Sequence, residues 1–542
     1  MGRASLGDHG AIEQFDVVVI GSGFGGAVVA CRLAEAGHTV CVLERGRRWR
    51  GHEFPRSIGQ VSDAFWEEGR SHGFLEYLAF RRIDVIQGAG VGGGSLHYFN
   101  VNLPAPEAIF KAPWPRAITC AELEPYYEQA TAVLGSAVLV PPASRPDLPA
   151  RTTTFMEAGR RAGLHPELVP IAVHTGPERM LDGVGPERPC TYCGSCLFGC
   201  DIGAKRSLDR NYIAIAERHG AVVRPLHVVD SITPHGGNGY DVQYRALDED
   251  PNAPPEPGVI RGRRVVVSAG SLGSTQLLLR SRDELAGLGP ALGTRFSING
   301  EFLFSYTDRI PERVNTGIGP PITARVTATR GDLIATVEDL GLPDALLWFL
   351  EGAIPPTGAR IKYLARALVD YVRRSTSIGA PSRVGVRLNA LMSGSRTAYA
   401  LPYLAMGTDS SDGTMSLRDG ALDVTWSLGR NRELDRLVRD TFDQLTGGAQ
   451  GRFVAGFLSR WPLRKILTAH PLGGCPMGDD PASSVVDDVG QVHGHPGLYV
   501  IDGSMIPSAL AVNPSLTIAA LAERSAAAMI DSMKGAAWAR QN

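Results

Sequence analysis

Two groups of residues in this 542-residue chain have the types and spacing to do chemistry. The first is glycine: Gly21, Gly23 and Gly26 stand in G-S-G-F-G-G, directly after the apolar run F-D-V-V-V-I (15–20) and before the helix-period stretch A-V-V-A-C-R-L-A-E-A-G. A second apolar run, H-T-V-C-V-L (38–43), ends on Glu44. In a strand, turn, helix, strand unit, Gly21 permits the tight turn, Gly23 lets a pyrophosphate approach the backbone at the positive end of the helix, and Gly26 lets the helix pack on the sheet. Glu44 is placed to accept hydrogen bonds from a ribose diol, and its charge disfavours a 2′-phosphate, so the pattern predicts FAD or NAD rather than NADP. The second group is thiol: Cys190, Cys193, Cys196 and Cys200 follow the spacing C-x2-C-x2-C-x3-C. That is the bacterial ferredoxin spacing, with Asp201 where a proline usually follows. Three readings are open: an iron–sulfur cluster, structural zinc, or thiols without metal. Cys31, Cys41, Cys120 and Cys475 stand singly and read as inert.

The elements that must position these groups are spread along the chain. A second glycine run, G-A-G-V-G-G-G-S (88–95, with Gly92, Gly93 and Ser95), follows the strand-like R-I-D-V-I-Q and gives backbone room beside a flat ligand. Residues 204–229 predict a helix stopped near Gly220 and a strand containing Val228; residues 261–276 repeat the strand-to-turn pattern; residues 497–504 form a strand ending on Asp502; and Asn513 opens the last long helix. Cofactor-domain signals at both termini and in the middle make that domain discontinuous. The fold class is therefore α/β, a Rossmann-type dinucleotide-binding domain over 12–110, 187–300 and 465–535. An α+β substrate or cap domain with an antiparallel sheet is inserted over 111–186 and 301–464. Within the insert, R-V-G-V-R-L-N-A-L and T-M-S-L-R-D-G-A-L-D-V-T-W read as strands, and residues 342–351 (L-P-D-A-L-L-W-F-L-E) as an apolar helical element. Such a cover over a ligand cleft favours an apolar substrate. Residues 247–258 read as a Pro/Asp-rich surface loop.

Composition excludes other classes. Lys+Arg 54 against Asp+Glu 56 gives a net charge of −2, too balanced for a protein held to nucleic acid by phosphate contacts. No apolar run reaches the ~18 residues of a membrane span, and no apolar signal segment precedes Phe15, which predicts a soluble, cytoplasmic protein without an integral membrane segment.

Taken together, residues 15–44, 88–104, 205–229, 265–279 and 470–530 resemble the glucose-methanol-choline (GMC) oxidoreductase family, in its cholesterol-oxidase-like branch. The most specific segments are G-A-G-V-G-G-G-S-L, A-H-P-L-G-G-C and L-Y-V-I-D-G-S-M-I-P-S-A-L-A-V-N-P-S-L-T-I-A-A-L-A-E-R. The resemblance implies FAD as cofactor and oxidation of a small-molecule alcohol to a carbonyl by hydride transfer to the flavin. It implies that His470, in A-H-P-L-G-G-C, takes the hydroxyl proton, a task suited to an imidazole with an ordinary pKa near 6.5. It implies that Asn513, in N-P-S, holds the alcohol oxygen. As residues, Asn513 and Pro514 also make an ordinary helix start, with asparagine as N-cap and proline at the first helical position. The helix beginning there would aim its positive end at the flavin. Asp502 would reach the ribityl or phosphate region, or simply form a turn. His97 stands in the context where some family members attach FAD covalently, and otherwise lies beside the flavin. A sterol oxidase that also isomerises its product needs a carboxylate; Glu338 and Glu351 lie in the substrate region and no motif chooses between them. The electron acceptor divides the readings. Oxygen suits an oxidase of a sterol or similar apolar secondary alcohol. An external acceptor suits an iron–sulfur FAD dehydrogenase of a sugar or other alcohol. A redox sensor that keeps FAD without turnover is the reading outside enzymes.

Overall fold

The computed structural model describes residues 12–56, 58–237, 239–343, 346, 397–456 and 465–541. Its main sheet runs in the order Val222–Arg224, Val40–Leu43, Glu13–Ile20, Glu256–Val267, Tyr240–Ala246, His227–Pro234, with Leu498–Val500 also paired to Glu256–Val267. Val17 to Ile20 lie parallel to both Val40–Leu43 and the end of Glu256–Val267. Val17, Val18 and Val19 are all fully buried, as a parallel strand covered on both faces requires of an unbroken apolar run. The last three residues of the expected 247–258 loop belong to the strand Glu256–Val267, whose first half closes an antiparallel meander with Tyr240–Ala246.

The helix Phe24–Glu35 packs on Tyr212–Arg218 and on the C-terminal helix Ser515–Gln541. One buried carboxylate ties the three together. Glu523 accepts hydrogen bonds from Arg32 Nε (2.7 Å) and Nη2 (2.8 Å) and from the Tyr212 hydroxyl (2.6 Å). Segments from the start, middle and end of the chain are thus fixed beside one another.

A second sheet, wholly antiparallel, runs Arg452–Val454, Phe302–Asp308, Leu401–Gly407, Leu333–Asp339, Ala324–Arg330, Glu167–Leu168. Side chains alternate across it. Ala335, Val337, Tyr403 and Ala405 pack with Phe155 and Phe442 of the helices Ala150–Arg161 and Arg432–Gly448. Glu338, one residue on from Val337, therefore faces the dinucleotide-binding side. Of the sequence-expected insert elements, T-M-S-L-R-D-G-A-L-D-V-T is a hairpin, Thr414–Arg418 with Ala421–Thr425, turning through Asp419 and Gly420 at φ +52° and +79°. The stretches 383–391 and most of 342–351, including Glu351, lie outside the described residues.

A small third sheet matters most for function. Ile466–Thr468 lies parallel to Ile83–Gly88, with Thr468 opposite Val85, so the chain leading to His470 runs beside the chain leading into the second glycine run.

Behind Glu338, the Arg151–Asp339 ion pair is fully buried. Arg151 Nε donates to Asp339 Oδ2 (2.9 Å) and Nη2 to the Pro320 carbonyl (2.6 Å), while Asp339 Oδ1 accepts from the N–H groups of Thr323 and Ala324. Removing one partner leaves an uncompensated charge in the cap. Arg151→Leu is expected to cost roughly 3–5 kcal/mol in denaturant unfolding; a loss below ~1 kcal/mol would mean that the pair does not hold the cap strand.

Candidate active site

The C-terminal ends of the parallel strands open into a cavity of ≈ 730 Å³, towards the upper part of the range for ligand sites. Glu44, Arg45, His227 and Val228 line one part of it, Gly21, Gly23 and Gly93 the next, and His97, Glu301, His470, Asn513 and Pro514 the part below the cap. Leu303, Tyr306, Leu342, Leu346 and Leu404 give that last part an apolar wall.

The glycines explain how so long a slot stays open. A Cβ on Gly21, whose φ is +98°, would lie 2.3 Å from the Ser268 carbonyl oxygen, and one on Gly26 would lie 2.1 Å from the Gly21 carbonyl oxygen. Gly25, which the motif does not weight, is tightest: its Cβ would lie 1.8 Å from the Ile501 carbonyl oxygen. At Gly23 nothing stands within 4 Å of that position, so its free side faces open space. Gly93 crosses over it, with a Cβ position 2.6 Å from Gly23 Cα. The backbone of the first turn is therefore bare toward the cavity at the start of the helix Phe24–Glu35, the setting in which N–H groups bind a pyrophosphate.

Glu44 is buried and already bound: Oε2 accepts from the Ser22 N–H (3.0 Å) and hydroxyl (2.7 Å), and Oε1 from the Gly46 N–H (3.0 Å). A carboxylate has about four acceptor positions, so capacity for a ribose hydroxyl remains. Gly92 and Ser95 do not line the cavity. The Ser95 hydroxyl donates to the Gly92 carbonyl (2.6 Å) and accepts from the Leu208 N–H (2.9 Å), which shapes the second glycine turn from behind. Asp502 lines the cavity, yet its carboxylate is saturated by the N–H groups of Gly270 and Ser504 and the hydroxyls of Ser274 and Ser504. Its local role is that of a turn former.

At the other end the polar atoms are not satisfied. His97 Nε2, His470 Nδ1, Asn513 Oδ1, Glu301 Oε1 and Glu338 Oε1 are buried without a hydrogen-bond partner. Buried polar groups are normally paired, so the orphans of His97, Glu301, His470 and Asn513 around one cavity, with Glu338 behind Asn513, mark where a polar ligand belongs. The side chain of Asn513 is not spent on the helix: Nδ2 donates to Glu338 Oε2 (3.3 Å), and the helix begins at Ser515. The N-cap reading of Asn513 is thereby corrected. Glu301 and Glu338, which no motif picks out, are fully buried partners of the two residues that the motifs do pick out.

Burial pushes the Glu338 carboxyl up to about 8. Burial alone would lower His470, but the Glu301 and Glu338 carboxylates together outweigh it and raise the imidazole above its ordinary value. Burial, aided by Lys205 and His470, pulls His97 down to about 3, so this ring is neutral.

Among the described residues, no group of three or more His, Cys, Asp or Glu side chains is arranged to hold a metal ion. Cys190 and Cys196 are buried, Cys193 is exposed and Cys200 half-buried, and burial pushes the first two thiols up, Cys196 to about 12. The spacing that predicts a cluster is not matched by a ligand set. Instead the segment is a tightly packed strap. Lys205 Nζ donates to the carbonyls of Cys196 (2.8 Å), Leu96 (2.8 Å) and Tyr98 (3.0 Å), lashing it to the turn that carries His97.

Two family models described as GMC oxidoreductase match residues 15–293 and 454–522. The cholesterol oxidase of Mycobacterium tuberculosis is 31% identical, over 95% of this chain and 90% of its own. The cholesterol oxidase of Acinetobacter baumannii is 29% identical over 94% of each. Pyridoxine 4-oxidase from Mesorbium loti, a solved structure, shares the fold with a TM-score of 0.59 at 16% identity, over 94% of this chain and 98% of that one. No described helix is long and apolar enough to cross a membrane.

Because the folded protein holds the Glu338 proton more tightly than the unfolded chain, the native state loses stability as pH rises from 4.5 through about 8. Glu338→Gln is expected to melt higher than the parent above pH 8, with the gap closing as the pH falls toward 4.5. A gap that does not change with pH in thermal melts would contradict the burial argument.

Proposed function

The chain belongs to the GMC oxidoreductase family of FAD-dependent alcohol oxidoreductases. From that premise we propose that it oxidises a secondary hydroxyl of a sterol, or of an apolar alcohol of similar shape, to the carbonyl, with oxygen as electron acceptor. The observation that carries the substrate class is the apolar wall of Leu303, Leu342, Leu346 and Leu404 over an otherwise polar cluster. A sugar would leave its hydroxyls unpaired against that wall, whereas a rigid hydrocarbon would be buried favourably with one hydroxyl directed at His470 and Asn513. The identities to two cholesterol oxidases support the same class.

The residues of the slot fit FAD. Gly21 to Gly25 would take the pyrophosphate, Glu44 the ribose, Val228 the adenosine end, and Gly93, His97 and the start of the helix after Pro514 the ring system. Bound there, FAD supplies the acceptor for the hydride from the carbinol carbon. The chain's own part is proton control. His470 receives the hydroxyl proton, and Asn513 Nδ2, one hydrogen of which is held by Glu338, donates the other to the hydroxyl oxygen. For product isomerisation, a proton must move between carbons of a β,γ-unsaturated ketone; Glu338, with Oε1 unpaired and a raised pKa, is the carboxylate suited to it. Among the described residues no metal-ligand set supports the iron–sulfur dehydrogenase reading.

His470→Ala is expected to slow flavin reduction by at least ~10²-fold while FAD stays bound. In the parent protein, the raised His470 pKa means that the proton-accepting form is gained as pH rises, so kcat/KM for the sterol should climb with a midpoint above 6.5. Stopped-flow reduction over a pH series checks both. Near-normal rates in the variant remove His470 from the mechanism, and faster reduction by sugars than by sterols removes the substrate class.

A further inference from the structure

Glu301 is fully buried and lines the cavity, and among the described residues it forms no ion pair with Lys or Arg. Its Oε2 accepts hydrogen bonds from the Thr468 hydroxyl (2.6 Å) and from the N–H groups of Ala469 (2.7 Å) and His470 (3.2 Å). A glutamine oxygen could accept the same three donors. What only a carboxylate supplies is negative charge, and the group placed to feel it is His470 Nδ1, 3.4 Å from the same oxygen. That separation is an ion-pair distance, short of a formed hydrogen bond. The ring keeps 17% of its side-chain surface exposed, and since Nδ1 is buried, Nε2 is the nitrogen reachable from the cavity.

We propose that Glu301 is the positioning residue of His470, holding the Nδ1 proton so that Nε2 presents its lone pair to the substrate hydroxyl, and stabilising the ring once Nε2 has taken the proton. This deepens the proposed function and rests on His470 being the proton acceptor. A carboxylate behind a histidine fixes its tautomer and orientation and favours the charged form that follows proton uptake. The charged and titratable groups facing His470 are Glu301, Glu338 from the cap strand Leu333–Asp339, and His97, which is neutral; Asn513 adds no charge.

The rest of its segment explains why this carboxylate can be held so firmly. Asp409 grips residues 297–301 through the Ser297 hydroxyl (2.8 Å) and the N–H groups of Ile298 (3.1 Å) and Gly300 (3.2 Å). Asn299, at φ +55°, accepts from the N–H groups of Leu510 and Ala511 and donates to the Val512 carbonyl. One five-residue turn thus holds the approach to His470 with Glu301 and the approach to Asn513 with Asn299.

The test is Glu301→Gln, which keeps an acceptor for the three donors and removes the charge, beside Glu301→Asp, which keeps the charge on a shorter arm. With FAD bound, nitrogen NMR of labelled histidine should show the His470 pKa falling in Glu301→Gln, and the rising limb of kcat/KM should move to lower pH. The rate of flavin reduction should drop at least ~10-fold with KM and FAD affinity unchanged, and Glu301→Asp should restore the pH profile in part. An unchanged His470 pKa and pH profile in Glu301→Gln would overturn the proposal, even if activity fell. Failure of the enzymatic reading looks different: the parent protein would then reduce its flavin with no alcohol, while the NMR titration would still report on Glu301.

Discussion

The structure depends on three remote stretches of backbone meeting at close quarters, with the Ser268 hydroxyl bridging two of them. The turn at Gly21 to Gly26 lies against Ser268 on one side and Ile501 on the other, so closely that a methyl group on Gly21, Gly25 or Gly26 would fall within 2.3 Å of a carbonyl oxygen. The contact is also bonded. Ser268 N–H donates to the Ile20 carbonyl (2.7 Å), the Ser268 hydroxyl to the Ile501 carbonyl (2.7 Å), and Ile501 N–H to the Val267 carbonyl (3.0 Å). This junction sets where the last strand ends, and hence where the turn to Asn513 and the C-terminal helix begin. The parallel pairing of Ile466–Thr468 with Ile83–Gly88 does the same for His470. A discontinuous domain is the consequence: a slot lined by these turns together needs strands from every part of the chain.

At the far end of the slot the protein carries polar groups that its own fold leaves incomplete. Glu338, Asn513, His470 and Glu301 each bury an unpaired polar atom, and Glu338 is held against its ordinary ionisation. Such an arrangement opposes stability and is maintained by what surrounds it: the Arg151–Asp339 pair behind Glu338, and Asp409 behind the turn of residues 297–301. Unsatisfied groups gathered around one cavity, each braced from outside, are what a site prepared for a hydroxyl and a developing charge requires.

The sequence was informative where one short motif carries its own geometry. Gly21, Gly23, Gly26 and Glu44 lie in consecutive elements whose order dictates their meeting. His470 and Asn513 stand in segments specific enough to be matched to a family. Less legible were residues whose meaning comes only from partners far along the chain. Glu301 and Asn299 sit in an unremarked S-I-N-G-E turn, and nothing local reveals that one reaches 468–470 and the other 510–512. Glu338 could not be preferred over Glu351 because strand alternation fixes which face it takes only once the sheet register is known. Asn513 misled by its locally sound cap geometry, since a tertiary partner, Glu338, claims its amide. The cysteine run fitted three readings because spacing alone does not tell thiols that converge on a metal from thiols that do not.

Most of the chemistry proposed for this chain rests on FAD lying in the backbone slot with the reactive end of the flavin beside His470 and Asn513. The visible spectrum of the purified protein, recorded anaerobically before and after addition of a sterol, tests it most directly. The expected result is a yellow protein with one flavin per chain whose oxidised band bleaches on mixing. A colourless, folded protein that cannot be reconstituted with FAD would contradict the claim.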